Sequence, residues 1–148
     1  MSGYKTVVVG TDGSDSSLRA VDRAGALAAG PDAKVIIATA YFPSQDDTRA
    51  SDVLKDEGYK TAGNAPIYAI LREAKERAKA AGATNIEEKA IVGAPVDALV
   101  ELSEEVKADL LVIGNVGLST IAGRLLGSVP ANVARRSKID VLIVHTTS

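Results

Sequence analysis

Few residues in this chain have types and spacings suited to chemistry, and the strongest group is built from glycines. Gly114-Asn115-Val116-Gly117 is followed by nine residues and then by Gly127-Ser128 ahead of the apolar Val129. Glycines let a backbone approach a ligand closely, and a Gly-Ser pair opening a helix aims amides, a hydroxyl and the positive end of the helix dipole at an anion. On spacing alone the pattern serves equally as a phosphate cradle or as a glycine-rich turn followed by an ordinary helix cap. A second polar group, Thr11-Asp12-Gly13-Ser14, follows the run Val7-Val8-Val9-Gly10. Asp12 there is either a turn residue ahead of a cap or an acceptor for ribose hydroxyls, a pairing that recurs in doubly wound nucleotide folds.

Composition narrows the field. The chain has no cysteine and a single histidine, His145, at the end of an apolar run. Thiolate nucleophiles, disulfides and cysteine-ligated zinc are therefore excluded, and a His-based triad or metal site has little to stand on. No grouping supplies a nucleophile, a base and an orienting residue, so no enzyme is expected. With 17 basic and 19 acidic residues and 3% aromatics, there is no basic stripe for nucleic acid. No run approaches the length of a membrane span, and the N-terminal segment has no signal-peptide core, so a cytoplasmic location is expected.

The elements that must position these groups are legible as alternating patterns. Five apolar, β-branched runs read as strands: Thr6 to Val9, Val35 to Thr39, Ile86 to Val92, Leu110 to Ile113 and Val141 to Val144. Runs apolar at every position suit strands covered on both faces. Helical stripes lie between them: Leu18, Val21, Ala24 and Ala28; Ile67, Ile70, Leu71, Ala74, Ala78 and Ala81; Val96, Leu99, Val100 and Val106; and a fourth from about Ser128 to Ser137. Ser14 caps the first helix, Gly30-Pro31 stops it, Gly82 ends the second, and Pro95 fits the first turn of the third. The alternation predicts one α/β domain over residues 1–148, an open doubly wound parallel sheet of five strands with helices on both faces. Residues 42–63 read as a long connection.

The Gly-x2-Gly-x9-Gly-Ser spacing is similar to the nucleotide motif of the universal stress protein family. The likeness spans nearly the whole chain, from Val7-Val8-Val9-Gly10-Thr11-Asp12-Gly13-Ser14, through Val92-Gly93-Ala94-Pro95 and Ala108-Asp109-Leu110-Leu111-Val112-Ile113-Gly114, to Arg124-Leu125-Leu126-Gly127-Ser128-Val129 and Val141-Leu142-Ile143-Val144. The resemblance implies a Rossmann-like fold of the adenine nucleotide alpha hydrolase type. It also implies a homodimer paired through the last strand, Val141 to Val144, and an adenine nucleotide in the cleft. Carried over by position, Asp12 meets the ribose and Thr11 and Ala40 border the adenine; Gly114, Asn115, Gly117, Arg124, Gly127 and Ser128 surround the phosphate, and Gly10, Val92 and Val129 complete the site.

One departure bears on the ligand. Family members that bind ATP often place a basic residue or histidine between the first two glycines, where this chain has Asn115 and Val116. Arg124 is the only cation in the nine-residue arch. A triphosphate, with about four negative charges, would lean heavily on Mg2+ there, so AMP or cyclic AMP becomes a strong candidate beside ATP. A sensor or buffer of adenine nucleotide is the expected role in stress or signalling. The alternatives are a slow ATPase or ATP-pyrophosphatase-like enzyme, and a protein-interaction module indifferent to nucleotides. Against the second enzyme, Asp12 stands where a pyrophosphate loop has glycine, and its carboxylate would repel the phosphates.

Overall fold

A computed structural model describes residues 4–41, 65–114 and 133–144. The long connection expected at 42–63 and the first half of the fourth helix expected at 128–137 lie outside these residues.

Five strands form one parallel sheet: β1 (Thr6–Gly10), β2 (Lys34–Tyr41), β3 (Ile86–Val92), β4 (Leu110–Gly114) and β5 (Asp140–Val144), in the order β3-β2-β1-β4-β5. Three helices connect them, α1 (Asp15–Leu27), α2 (Ala65–Ala80) and α3 (Pro95–Glu105), and residues 133–136 form a further helical turn. The doubly wound architecture expected from the alternating patterns is therefore present. Chain order runs outward from β1 through β2 to β3, then returns to the other side of β1 at β4. That reversal opens a crevice beyond the carboxyl ends of the central strands.

The alternation of side chains along each strand assigns the faces. Val7, Val9, Val35, Ile37, Leu110 and Val112 pack with Leu18, Val21 and Ala24 of α1 and Leu71, Ala74 and Ala78 of α2. Val8, Ile36, Ala38, Leu111 and Ile113 pack with Leu99 and Leu102 of α3 and with Val133. The central strands thus carry consecutive apolar residues, Val7 to Val9, Val35 to Ala38 and Leu110 to Ile113, because both faces are covered there. The edges are not: Glu87, Glu88 and Lys89 of β3 are only partly covered or exposed, and Lys34 pairs with Glu87 at 2.8 Å.

Two local devices fix the frame. Asp109, just before β4, accepts from the backbone amides of Lys5 and Thr6 and donates its own amide to the Thr6 carbonyl. It thereby pins the starts of β1 and β4 together. Gly25 of α1 lies so close to α2 that a Cβ there would sit 2.8 Å from the Ala78 carbonyl oxygen. The two helices meet backbone to backbone, which is possible only because that position has no side chain.

Candidate nucleotide site

The chain leaves β1 at Gly10 with one more step of sheet pairing, the Thr11 amide donating to the Ala38 carbonyl at 2.9 Å. It then turns into α1 within four residues, and the turn is held by side chains. Gly13, at φ +86, takes a left-handed conformation that a residue with a Cβ resists. Its amide donates to Thr11 Oγ1 at 3.1 Å. Ser14 caps α1 as expected, its side chain accepting from the Ser17 amide.

Asp12 is fixed by this turn. Its Oδ1 accepts from the Ser14 amide at 2.9 Å and from Ser17 Oγ at 3.0 Å, while its own amide donates to Ser17 Oγ at 3.2 Å. Ser17 Oγ also lies 2.8 Å from Thr11 Oγ1. Thr11 and Ser17 are buried, with 1% and 0% of their surface exposed.

A small cleft opens at this point, lined by Gly10, Thr11, Asp12, Ala38, Ala40, Pro95 and Leu99. The small residues at the ends of β1 and β2 line one part of it, and Pro95 and Leu99 of α3 line another. Pro95 starts α3 behind an N-cap, Ala94, that offers no side-chain cap. The Gly93 amide, donating to the Tyr41 carbonyl at 2.9 Å, ties this turn to the end of β2. Asp12 is the only ionisable side chain in the described lining, which contains no cation. Such a wall suits a neutral ring and hydroxyl groups better than phosphate.

Four residues expected at the site, Gly10, Thr11, Asp12 and Ala40, come together here. Val92 ends β3 beside Tyr41 at the same end of the sheet, 59% exposed, but does not line the cleft. Gly114 closes β4 opposite Val144, also at that end and outside the lining. Asn115, Gly117, Arg124, Gly127, Ser128 and Val129 lie outside the described residues. Ala38, Pro95 and Leu99 belong to the cleft without having been expected there. Pro95 carried a signal, since a proline opening a helix after the third strand marks a helix start near the sheet's carboxyl end.

The sheet order, the cleft at its carboxyl end and the held aspartate define a doubly wound α/β fold with a crevice at its switch point. The family model for the universal stress protein family matches residues 3–145, and the chain belongs to that family. The universal stress protein Rv1636 of Mycobacterium tuberculosis strain H37Rv is 75% identical over 147 residues, covering 99% of this chain and 100% of that one. The universal stress protein MJ0531 of Methanocaldococcus jannaschii is 33% identical, covering 95% of this chain and 82% of the relative. Among solved structures, a universal stress protein in complex with cAMP superposes with a TM-score of 0.75 at 73% identity, covering 97% of this chain and 98% of the other.

Proposed function

We propose that this chain binds an adenosine monophosphate, cyclic AMP before AMP and either before ATP, and acts as a nucleotide sensor or buffer without turnover. The observation that carries the reading is the cleft itself: small residues flank a carboxylate fixed at the lip, and the described lining has no cation. The cAMP complex of a 73% identical relative supports the same ligand class.

Within the cleft, Thr11 and Ala40 would border the base and Asp12 would accept from the sugar hydroxyls. The phosphate would fall to Gly114, Asn115, Gly117, Arg124, Gly127 and Ser128. With Arg124 as the arch's only cation, each added negative charge costs more than the site returns unless Mg2+ accompanies it. Cyclic AMP, with about one negative charge, meets this limit most easily.

Calorimetry with cyclic AMP, AMP and ATP, with and without Mg2+, tests the order, and phosphate or pyrophosphate release tests for turnover. Cyclic AMP should bind tightest, at one ligand per chain, and no product should accumulate. Gly127→Val should abolish binding while the thermal melt persists. ATP binding tightest would overturn the ligand order, sustained release would restore the enzyme reading, and no binding of any of the three at millimolar concentration would favour the interaction module.

The same reading includes a homodimer through β5. Its outer edge is unpaired among the described residues and carries Ile143 at 39% exposure, whereas the opposite edge, β3, carries Glu87, Glu88 and Lys89. Charged edges discourage strand addition and apolar ones invite it.

A further inference from the structure

Ser17 has more bonding than a helix residue needs. Its hydroxyl, fully buried in the first turn of α1, lies within hydrogen-bond distance of Thr11 Oγ1, Asp12 Oδ1, the Asp12 amide, Ser14 Oγ and the Ser14 carbonyl. A serine hydroxyl has one proton to give. The charged acceptor makes the stronger bond, so the proton goes to Asp12 Oδ1 rather than to the neutral Ser14 carbonyl. Thr11 must then donate to Ser17, and Thr11 Oγ1 keeps a lone pair for the Gly13 amide, which reaches it at 3.1 Å. The chain of donors runs one way, from Gly13 through Thr11 and Ser17 to the Asp12 carboxylate.

We infer that Ser17 is the positioning residue of the nucleotide site, its buried hydroxyl fixing the Asp12 carboxylate in the orientation that selects a ribose over a deoxyribose. This rests on the reading of the cleft as a nucleotide site with Asp12 on the sugar. Two donors on Oδ1, one from the Ser14 amide and one from Ser17, define the plane of the carboxylate. Removing the Ser17 hydroxyl takes one of these two away, and the carboxylate gains rotation about its Cβ–Cγ bond. A carboxylate in a rotating plane accepts a weaker, poorly aligned bond from the 2′-hydroxyl, which is the only ribose hydroxyl that cyclic AMP retains.

The test compares cyclic AMP with 2′-deoxy cyclic AMP by calorimetry on each variant. Because both ligands meet the same preparation, the ratio of affinities is insensitive to the folded fraction. The wild-type chain should favour the ribose form by about tenfold, the span of one charge-assisted hydrogen bond. Ser17→Ala should bring the ratio close to unity, and Ser17→Cys, with similar volume and a weak donor, should fall between. Asp12→Ala should lose the preference, and adding Ser17→Ala to it should change the ratio no further. If Asp12→Ala loses the preference while both Ser17 variants keep it, the positioning role is wrong and the sugar reading stands. If Asp12→Ala keeps the wild-type preference, or the wild-type chain shows none, the sugar reading falls and the role of Ser17 falls with it.

Discussion

At the residue scale the site depends on a turn with almost no freedom in its choice of residues. Gly13 combines a φ of +86 with a Cβ direction that would meet Ile70 Cγ1 of α2 at 3.1 Å. Alanine there must adopt a backbone region disfavoured for side chains and also push against a packed isoleucine. Gly13→Ala should therefore cost about 1–2 kcal/mol from the backbone alone, read as a lower urea midpoint. It should also weaken cyclic AMP binding, because Gly13 lies between Asp12 and its partner Ser14. An unchanged midpoint and affinity would show that the turn has another way to close. Thr11 and Ser17 are polar yet buried for the same reason: each hydroxyl satisfies a turn amide and its neighbour, so burial leaves neither without a partner.

At the scale of elements, the contact between α1 and α2 makes a prediction with an unusual sign. Alanine in place of glycine inside a helix ordinarily stabilises it by about 1 kcal/mol. At Gly25 the added Cβ would lie 2.8 Å from one α2 backbone atom and 2.9 Å from another, so a helix must move. Gly25→Ala should instead destabilise by about 1–3 kcal/mol in urea unfolding, the cost of overpacking. A second element-level tie joins Tyr4, ahead of β1, to Asp140 at the start of β5, the phenol donating to Oδ2 at 2.9 Å. That bond holds the proton on Tyr4 and raises its pKa above the ordinary phenol value, with partial burial and the Asp140 charge adding to the effect. The folded-state pKa exceeds the unfolded one, so the stabilisation is complete below about pH 10 and lost as pH rises through the folded value. The gap in urea midpoint between wild type and Tyr4→Phe should narrow as pH is raised from 8 towards 11; a gap that stays constant would refute the assignment.

For the whole molecule, the sheet has two unlike edges, and their difference makes a prediction about assembly. Pairing through β5 would extend the sheet across two copies while leaving the cleft at its carboxyl end. Ile143→Lys places a charge on that edge at a position 39% exposed, where the folded chain tolerates it. Sedimentation velocity should show a dimer for the wild-type chain and a monomer for the variant, with little change in thermal melt. A wild-type monomer, or a variant that stays dimeric, would exclude pairing through this edge. Among the described residues no helix is long and apolar enough to cross a membrane.

The sequence by itself determined the strands and helices, because continuous apolar runs and helical apolar stripes record which faces must leave water. Ile86–Val92 emerged with the bounds expected, and the strands grew elsewhere by one to three residues where pairing continued past the apolar run. The Ser14 cap and the Pro95 helix start were equally legible, since capping chemistry is local. Gly10, Thr11, Asp12 and Ala40 were found by motif and do share a cleft. Only the tertiary structure decided the strand order, the packing of Gly25 on Ala78, and the entry of Ala38, Pro95 and Leu99 into the site. Ser17 is the clearest case. In the sequence it is a polar residue in a first helical turn, where serine is ordinarily solvated. Its hydroxyl reaches Asp12, five residues before it, only because Gly13 takes a left-handed conformation between the end of β1 and the first turn of α1, a backbone path that the residue types alone do not fix.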